Sequence, residues 1–159
     1  MFNIGDRVVY PMHGAGIIEE IEEKVILDEK RKYFIMRIPV GDMKVMIPID
    51  NIDEIGVRNV VGNEEVEKVL KILTEEPSQM PDNWNRRYRE NMEILKKGNI
   101  RDVAAVVRNL MIVDKLKGLS TGERKMLSTA KQILISELIL AKEINTEEAT
   151  EIVNSAVFK

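Results

Sequence analysis

The residues best suited to chemistry in this sequence are a tryptophan and a basic cluster in the stretch PDNWNRRYRENMEILKKG. Trp84 is the only tryptophan of the chain. From Trp84 to Arg101, six basic residues stand against two acidic ones, although the whole chain has a net charge of −3. The basic residues are Arg86, Arg87, Arg89, Lys96, Lys97 and Arg101. Cations beside an apolar wedge are what minor-groove proteins use to hold phosphates and separate base steps, so the pattern indicates a DNA contact.

A purely structural role is the alternative for the same stretch. Trp84, Tyr88, Met92 and Leu95 recur at helical spacing, which is typical of a helix face packed on a core. Spacing alone favours core packing, because large aromatic side chains are rarely left exposed, and basic residues on the opposite face are usually only solvated. The position of Trp84 in the first turn, just after a proline-containing loop, favours a side chain that projects beyond the helix end.

Catalytic chemistry has little support in this sequence. His13 is the only histidine and there is no cysteine, so a zinc site would need several carboxylates, which is uncommon. Asp50 and Asp53 are a possible carboxylate pair, but no nucleophile or cofactor anchor stands near them. We therefore expect no enzyme, no cofactor and no metal.

Composition and charge narrow the class of protein further. With 44% hydrophobic and 32% charged residues, the sequence is typical of a soluble globular protein. No apolar run approaches the length of a membrane span, and residues 1–6 lack the pattern of an export signal, so we expect a cytoplasmic protein without a membrane partner. The acidic pI of about 5.4 argues against general coating of nucleic acid. Any DNA binding must come from a local patch.

The elements that position these residues change character near Gly56. Before it, short runs rich in Val, Ile, Tyr and Phe predict four or five strands in a small barrel or strongly bent sheet. Residues 1–56 hold seven basic and eleven acidic residues, a balance better suited to a protein partner than to nucleic acid. Pro48 indicates an edge strand or a strand end. The predicted strands are Ile4–Tyr10, Ala15–Ile21, Lys32–Ile38 and Lys44–Ile49.

After a linker at 57–63, helical spacing predicts a bundle of about five helices. The fold class is therefore α+β, with a β domain at 1–56 and a helical domain at 57–159. The helix of Trp84 follows a loop at 75–82 and is expected to have Asp82 as its N-cap. The other expected helix signals are Asn63 as a cap, Gly98 and Gly118 as helix ends, a capping box at Ser120 and Glu123, and a last helix from Asn145 to about Val157.

Five blocks of the sequence extend this interpretation: FNIGDRVVYPMHGAGII, GDMKVMIPIDN, GVRNVVG, WNRRYRENMEILKKGNIRDVAAVVRNL and GLSTGERKMLSTAKQILISEL. In order and over almost the whole chain, they resemble the bacterial CarD/CdnL family of RNA-polymerase-binding transcription regulators. The resemblance implies an N-terminal Tudor-like domain that docks on the lobe of the polymerase β subunit. It also implies a C-terminal helical domain that touches promoter DNA at the upstream edge of the transcription bubble and stabilises the open complex.

The resemblance also assigns roles to residues. Trp84 matches the family's tryptophan, which would wedge into the minor groove at the upstream fork. Neighbouring basic positions would hold phosphates, largely without sequence specificity, as would a second basic pair. These positions are Arg86, Arg87 and Arg89, and the pair is Arg124 and Lys125. The polymerase-facing positions are Lys24, Lys44, Val45, Met46 and Ile47, and Met46 stands where some relatives carry arginine.

An RNA- or ribosome-associated module is the alternative function, since small barrels also bind RNA. Such a module would need exposed aromatic residues on the barrel for base stacking. Tyr10, Tyr33 and Phe34 alternate with core positions in the sequence and do not cluster.

Overall fold

The computed structural model describes residues 1–158, and its first third is a five-stranded antiparallel sheet. The strand order is β4-β3-β2-β1-β5, so β4 and β5 are edges and the sheet is open, not closed into a barrel. A bulge in β2 between Ile18 and Glu20 interrupts its register with β3. The strands are β1 (Arg7–Tyr10), β2 (Gly14–Ile26), β3 (Glu29–Ile38), β4 (Met43–Pro48) and β5 (Arg58–Asn59).

The hairpin of β2 and β3 is longer than the sequence predicts. The sequence predicts the end of β2 at Ile21, where the apolar run stops, but paired strands need no burial of their side chains to continue the backbone ladder to Ile26. Leu27 and Asp28 form the two-residue turn and both have positive φ, at 51° and 64°, as a type I′ turn requires. The hairpin therefore projects past the sheet core, with Leu27 fully exposed at its tip.

The rest of the described residues form the expected bundle of five helices, and a one-turn helix that the sequence did not predict precedes β5. The short helix α1 (Ile52–Ile55) ends at Gly56, whose φ of 85° is left-handed. The bundle helices are α2 (Asn63–Thr74), α3 (Trp84–Lys96), α4 (Ile100–Leu116), α5 (Thr121–Lys142) and α6 (Thr146–Val157). The α+β class predicted from the sequence is confirmed.

The helix ends correct two details of the sequence analysis. The N-cap of α3 is Asn83 and not Asp82: the Asn83 side chain accepts hydrogen bonds from the backbone amides of Asn85 (2.9 Å) and Arg86 (3.1 Å). The N-cap of α2 is Gly62, one residue before Asn63. The last helix begins after Asn145, as expected, and has a capping box formed by Asn145 and Glu148.

The sheet and the bundle each have a hydrophobic core, and a third, smaller cluster of apolar residues joins sheet residues to α5. The sheet core centres on Ile18, Phe34 and Met36, and the larger core fills the bundle. Between them lie Val9, Ala15 and Leu140, the last from α5. The segment 57–63, predicted as a linker, contains β5, which pairs with β1 and is part of the sheet. The sheet and the bundle are therefore in direct contact.

Candidate nucleic-acid interface

Trp84 is the first residue of α3 and leaves 53% of its surface exposed. It does not join the apolar stripe expected from its spacing. Leu95 is buried, and Tyr88 and Met92 are half-buried against the bundle core, so the stripe fades toward the helix start. The core interpretation holds for those three residues, and Trp84 is left as a large apolar side chain at the end of a helix.

A buried ion pair joins the starts of α3 and α5. Arg87 donates two hydrogen bonds to the Glu123 carboxylate, from Nε at 2.6 Å and from Nη2 at 2.7 Å. The side chain of Glu123 is 0% exposed and that of Arg87 is 12% exposed. Gly122 lies against the ring of Tyr88, where a Cβ would stand 3.7 Å from Cε2. Arg87 is thus tied into the protein, unlike Arg86 and Arg89.

Glu123 has a different role from the one that its capping-box position predicts. Ser120 is the N-cap of α5 and accepts from the Glu123 amide at 3.3 Å, as expected. The Glu123 carboxylate, however, accepts from Arg87 and from the Ser120 hydroxyl. Burial alone would raise the pKa of this carboxyl, but the hydrogen bonds from Arg87 and Ser120 outweigh burial and hold its pKa below the ordinary value. The hydrogen bonds that Arg87 donates to Glu123 in turn raise the pKa of Arg87.

Four cations around this pair are exposed. Arg86 Nε lies 3.7 Å from a carboxylate oxygen of Glu90, and Arg124 Nε lies 3.8 Å from one of Asp114. Both ion pairs are exposed to solvent and contribute little to stability. Arg89 and Lys125 make no ion pair within the described part of the chain. Lys125 and Tyr88 line one cleft of about 210 Å³ between α3 and α5. The structure therefore brings together the two basic sets that lie far apart in the sequence.

The electrostatics of this surface favour an anion. The N-terminal end of a helix carries partial positive charge, so acidic residues usually stand in its first turn. The first turn of α3 has no acidic residue, and it carries Arg86. The acidic residue in the first turn of α5, Glu123, is buried and paired. The starts of α3 and α5 therefore lie together with four exposed cations and no exposed acidic residue in either first turn.

The positions expected to face polymerase lie on the sheet, but the structure does not gather them into one spot. Lys24 pairs with Arg31 near the hairpin tip, whereas Lys44 pairs with Arg37 on the same strand, β3. Arg31 and Arg37 are about 20 Å apart at the rise of a β-strand. The two lysines therefore lie at opposite ends of the β3 ladder.

Edge strand β4 alternates between the two faces of the sheet. Ile47 is buried and Val45 packs half-buried on the sheet core. Lys44 and Met46 alternate with them, and Lys44 is exposed. The outer backbone edge of β4 has no neighbouring strand within residues 1–158, which leaves hydrogen-bonding groups available to a partner.

The aromatic residues of the sheet give no stacking face for RNA. Phe34 is buried, and Tyr10 and Tyr33 are half-buried. Tyr10 packs instead on His13, with ring centroids 4.1 Å apart.

Among the described residues, no group of three or more His, Cys, Asp or Glu is arranged to hold a metal ion. Within that same part of the chain, every helix is too short or too polar to cross a membrane.

Comparison with known proteins gives matches along almost the whole chain. Residues 2–61 match the family model described as CarD-like/TRCF RID domain, and residues 68–154 match that of the CarD C-terminal domain. A candidate transcription factor from Bacillus subtilis (strain 168), YdeB, is 43% identical over 148 residues, covering 93% of this chain and 97% of that protein.

A solved structure is similar to the N-terminal part of the chain. The solution NMR structure of the 72-residue N-terminal domain of Myxococcus xanthus CarD is 34% identical, covers 37% of this chain and 79% of that one, and has a TM-score of 0.33. The two-domain match defines a class of non-enzymatic transcription regulators. The chain belongs to the CarD/CdnL family.

Proposed function

We propose that this regulator binds RNA polymerase through its sheet and promoter DNA, at the upstream edge of the transcription bubble, through the start of α3. The observation that carries the DNA half is the exposed Trp84 at the N-terminus of a helix whose first turn carries Arg86 and no acidic residue. An exposed tryptophan forgoes the stabilisation that burial would give, and an arginine at a positive helix end is unfavourable for folding. Both features suit binding to an anion with stacked bases.

Each exposed side chain has a defined part in this proposal. Trp84 is the wedge that inserts at a base step already weakened at the edge of the bubble. The four cations hold the phosphates on either side: Arg86, Arg89, Arg124 and Lys125. Arg87 takes a different role from its neighbours, because its guanidinium is already held by Glu123. We assign Arg87 to positioning the two helix starts.

The polymerase half rests on the open edge of the sheet. An exposed edge strand binds a partner by adding one of the partner's strands to the sheet, and the outward side chains then select that partner. On β4 these outward side chains are Lys44 and Met46. The match of residues 2–61 to the CarD-like/TRCF RID domain supports this choice of partner, as does the family resemblance of the polymerase-facing positions.

The mechanism is linkage between two binding events. A protein held on polymerase that touches the fork only when the promoter is melted stabilises the melted state by its differential affinity for that state. A coupling of about 1–3 kcal/mol corresponds to a shift of about 5-fold to 150-fold in the ratio of open to closed complex. Phosphate contacts supply affinity, and the wedge responds to how easily a base step unstacks.

The test is the lifetime of a promoter open complex formed by the cognate polymerase, measured alone, with this protein and with Trp84→Ala. We expect the protein to lengthen the lifetime and Trp84→Ala to lose most of that gain while still binding polymerase. Leu116→Ala, which removes another exposed apolar side chain of the helical domain, is the matched control and should behave as the wild type. A lifetime unchanged by the wild-type protein would contradict the proposed function. A Trp84→Ala protein as effective as the wild type would contradict the wedge.

A further inference from the structure

The joint between the sheet and the bundle is built around a second buried carboxylate of α5. Arg58 of β5 donates to both oxygens of Glu137, at 2.7 Å each. The Glu137 side chain is 2% exposed. The same carboxylate accepts from the backbone amide of Val61 at 3.0 Å, so it also fixes the chain as it leaves the sheet. Glu137 therefore holds the last strand of the sheet against the middle of a bundle helix.

Arg58 extends this network to the helix that carries Trp84. Its Nε donates at 3.0 Å to the carbonyl of Gly98, which lies between α3 and α4. The ring of Pro11, from the turn between β1 and β2, packs on the same glycine: a Cβ at Gly98 would stand 3.1 Å from Pro11 Cγ. One guanidinium thus touches the sheet, α5 and the end of α3.

Two further contacts lie on the same part of α5. The Ser136 hydroxyl accepts from the backbone amide of Ala15 at 2.8 Å and donates to the Ile133 carbonyl at 2.6 Å. Arg7 Nη1 donates to the Leu140 carbonyl at 2.6 Å. The contacts are polar, directional and at least partly buried, which makes the relative orientation of the two parts specific. A purely apolar contact would permit sliding.

Helix α5 connects this joint to the proposed DNA surface. Glu123, near its start, is held by Arg87 of α3, and Glu137, further along, is held by Arg58 of β5. At 1.5 Å per residue the two carboxylates are about 21 Å apart along the helix. Each end of this span is fixed by an arginine with two hydrogen bonds, and such planar pairs define orientation as well as distance.

We propose that Glu137 and Arg58 are positioning residues that make the protein a rigid bracket, with α5 setting the distance and angle between the polymerase-docking sheet and Trp84. This inference rests on the proposed function for its consequence, because a bracket matters only if both surfaces bind at once. A flexible tether would raise the local concentration of the wedge but leave its direction free. A rigid joint delivers Trp84 to one base step.

The absence of cysteine from the sequence allows the joint to be measured directly. Glu20→Cys on β2 and Glu93→Cys on α3 place two exposed labelling sites, one on each part, for spin-label distance measurement on the full chain. We expect one narrow distance peak for the otherwise unchanged protein and a broadened or divided distribution when Glu137→Gln is added. Glu29→Gln, the same change in an exposed ion pair with Arg31 within β3, should leave the peak narrow.

The functional readout separates positioning from binding. Glu137→Gln should keep its affinity for polymerase but reduce the gain in open-complex lifetime by about fivefold or more, the lower end of a typical coupling. A broad distribution in the unchanged protein, a narrow one in Glu137→Gln, or an undiminished lifetime gain in that variant would each overturn the inference. If Glu137→Gln does not fold, Ser136→Ala, which removes the acceptor of the Ala15 amide, replaces it in both assays. A wild-type protein without effect on lifetime would contradict the proposed function instead, while the distances would still decide whether the joint is rigid.

Discussion

Replacement of Glu123 by glutamine tests the pair that joins the starts of α3 and α5. The change keeps the shape of the side chain but leaves the buried Arg87 guanidinium without its counter-charge. Removal of one partner of a buried ion pair costs about 3–5 kcal/mol, because the remaining charge is desolvated and uncompensated. For a chain of this length, the unfolding entropy per residue converts that cost into a fall in Tm of about 9–15 °C.

The assay is thermal and urea unfolding, followed both by circular dichroism and by the fluorescence of the single tryptophan. Because Trp84 lies three residues before Arg87, its fluorescence reports the local start of α3. Glu90→Gln, which breaks the exposed pair with Arg86, is the matched control and should change stability by less than about 0.5 kcal/mol. A Glu123→Gln protein within that same range of the wild type would refute the assignment of the pair as a buried anchor.

The same pair predicts a pH dependence with a definite sign. The Glu123 pKa is lower in the folded protein than in the unfolded chain, where a glutamate has a pKa of about 4.3. Its contribution is therefore complete above that unfolded pKa and is lost as the pH falls through the lower folded pKa. The stability difference between wild type and Glu123→Gln should shrink over that acid range. Arg87→Met and the double variant complete the cycle, and the double should lose less than the sum of the singles.

Two further changes test other parts of the structure. Arg89→Gln or Lys125→Gln should each reduce by about 0.9 the slope of the logarithm of the binding constant against the logarithm of salt concentration, measured for a duplex fork by fluorescence anisotropy. Lys71→Gln on α2 is the control and should leave the slope unchanged. A slope equal to that of the wild type in Arg89→Gln or Lys125→Gln would remove that residue from the DNA surface. Gly14→Ala should destabilise by about 1–3 kcal/mol in urea unfolding, because its φ of 118° suits only glycine and a Cβ would stand 2.9 Å from Ser136 Oγ. Gly62→Ala, where nothing lies within 4 Å of a Cβ, is the control for the steric contact; because Gly62 is the N-cap of α2, this variant should lose about 0.5–1 kcal/mol, and a Gly14→Ala loss no larger than that would contradict the close contact between the β1–β2 turn and α5.

Local signals in the sequence were enough to predict the elements of the fold. The α+β order, the five bundle helices and the glycine helix ends all depend on residues within a few positions of one another. The errors are local too: Asn83 and Asp82 are both good N-caps, and spacing cannot choose between neighbours. The extension of β2 to Ile26 was missed because its side chains are polar or exposed while its backbone is paired.

The site was harder to predict, because which basic residues stay exposed depends on partners far along the chain. Arg86, Arg87 and Arg89 are equivalent in the sequence, and only the approach of Glu123 from another helix removes Arg87 from the exposed set. Arg58 gave no signal in the sequence, since it is a single charged residue in an ordinary context. Glu137 gave one hint, because a glutamate inside the apolar run of α5 would be too costly to bury without a partner.

The acidic residues of α5 explain how this basic surface is sustained. Arginines at the N-terminal ends of helices are unfavourable by about 0.3–1 kcal/mol each, and four exposed cations close together also repel one another. Glu123 stands in the first turn of α5, where a carboxylate interacts favourably with the helix dipole, and it neutralises the innermost arginine of α3 at the same time. Because Glu123 is buried, it stabilises both helix starts without presenting a negative charge to a ligand. A chain with a net charge of −3 can therefore keep four cations exposed near the starts of α3 and α5.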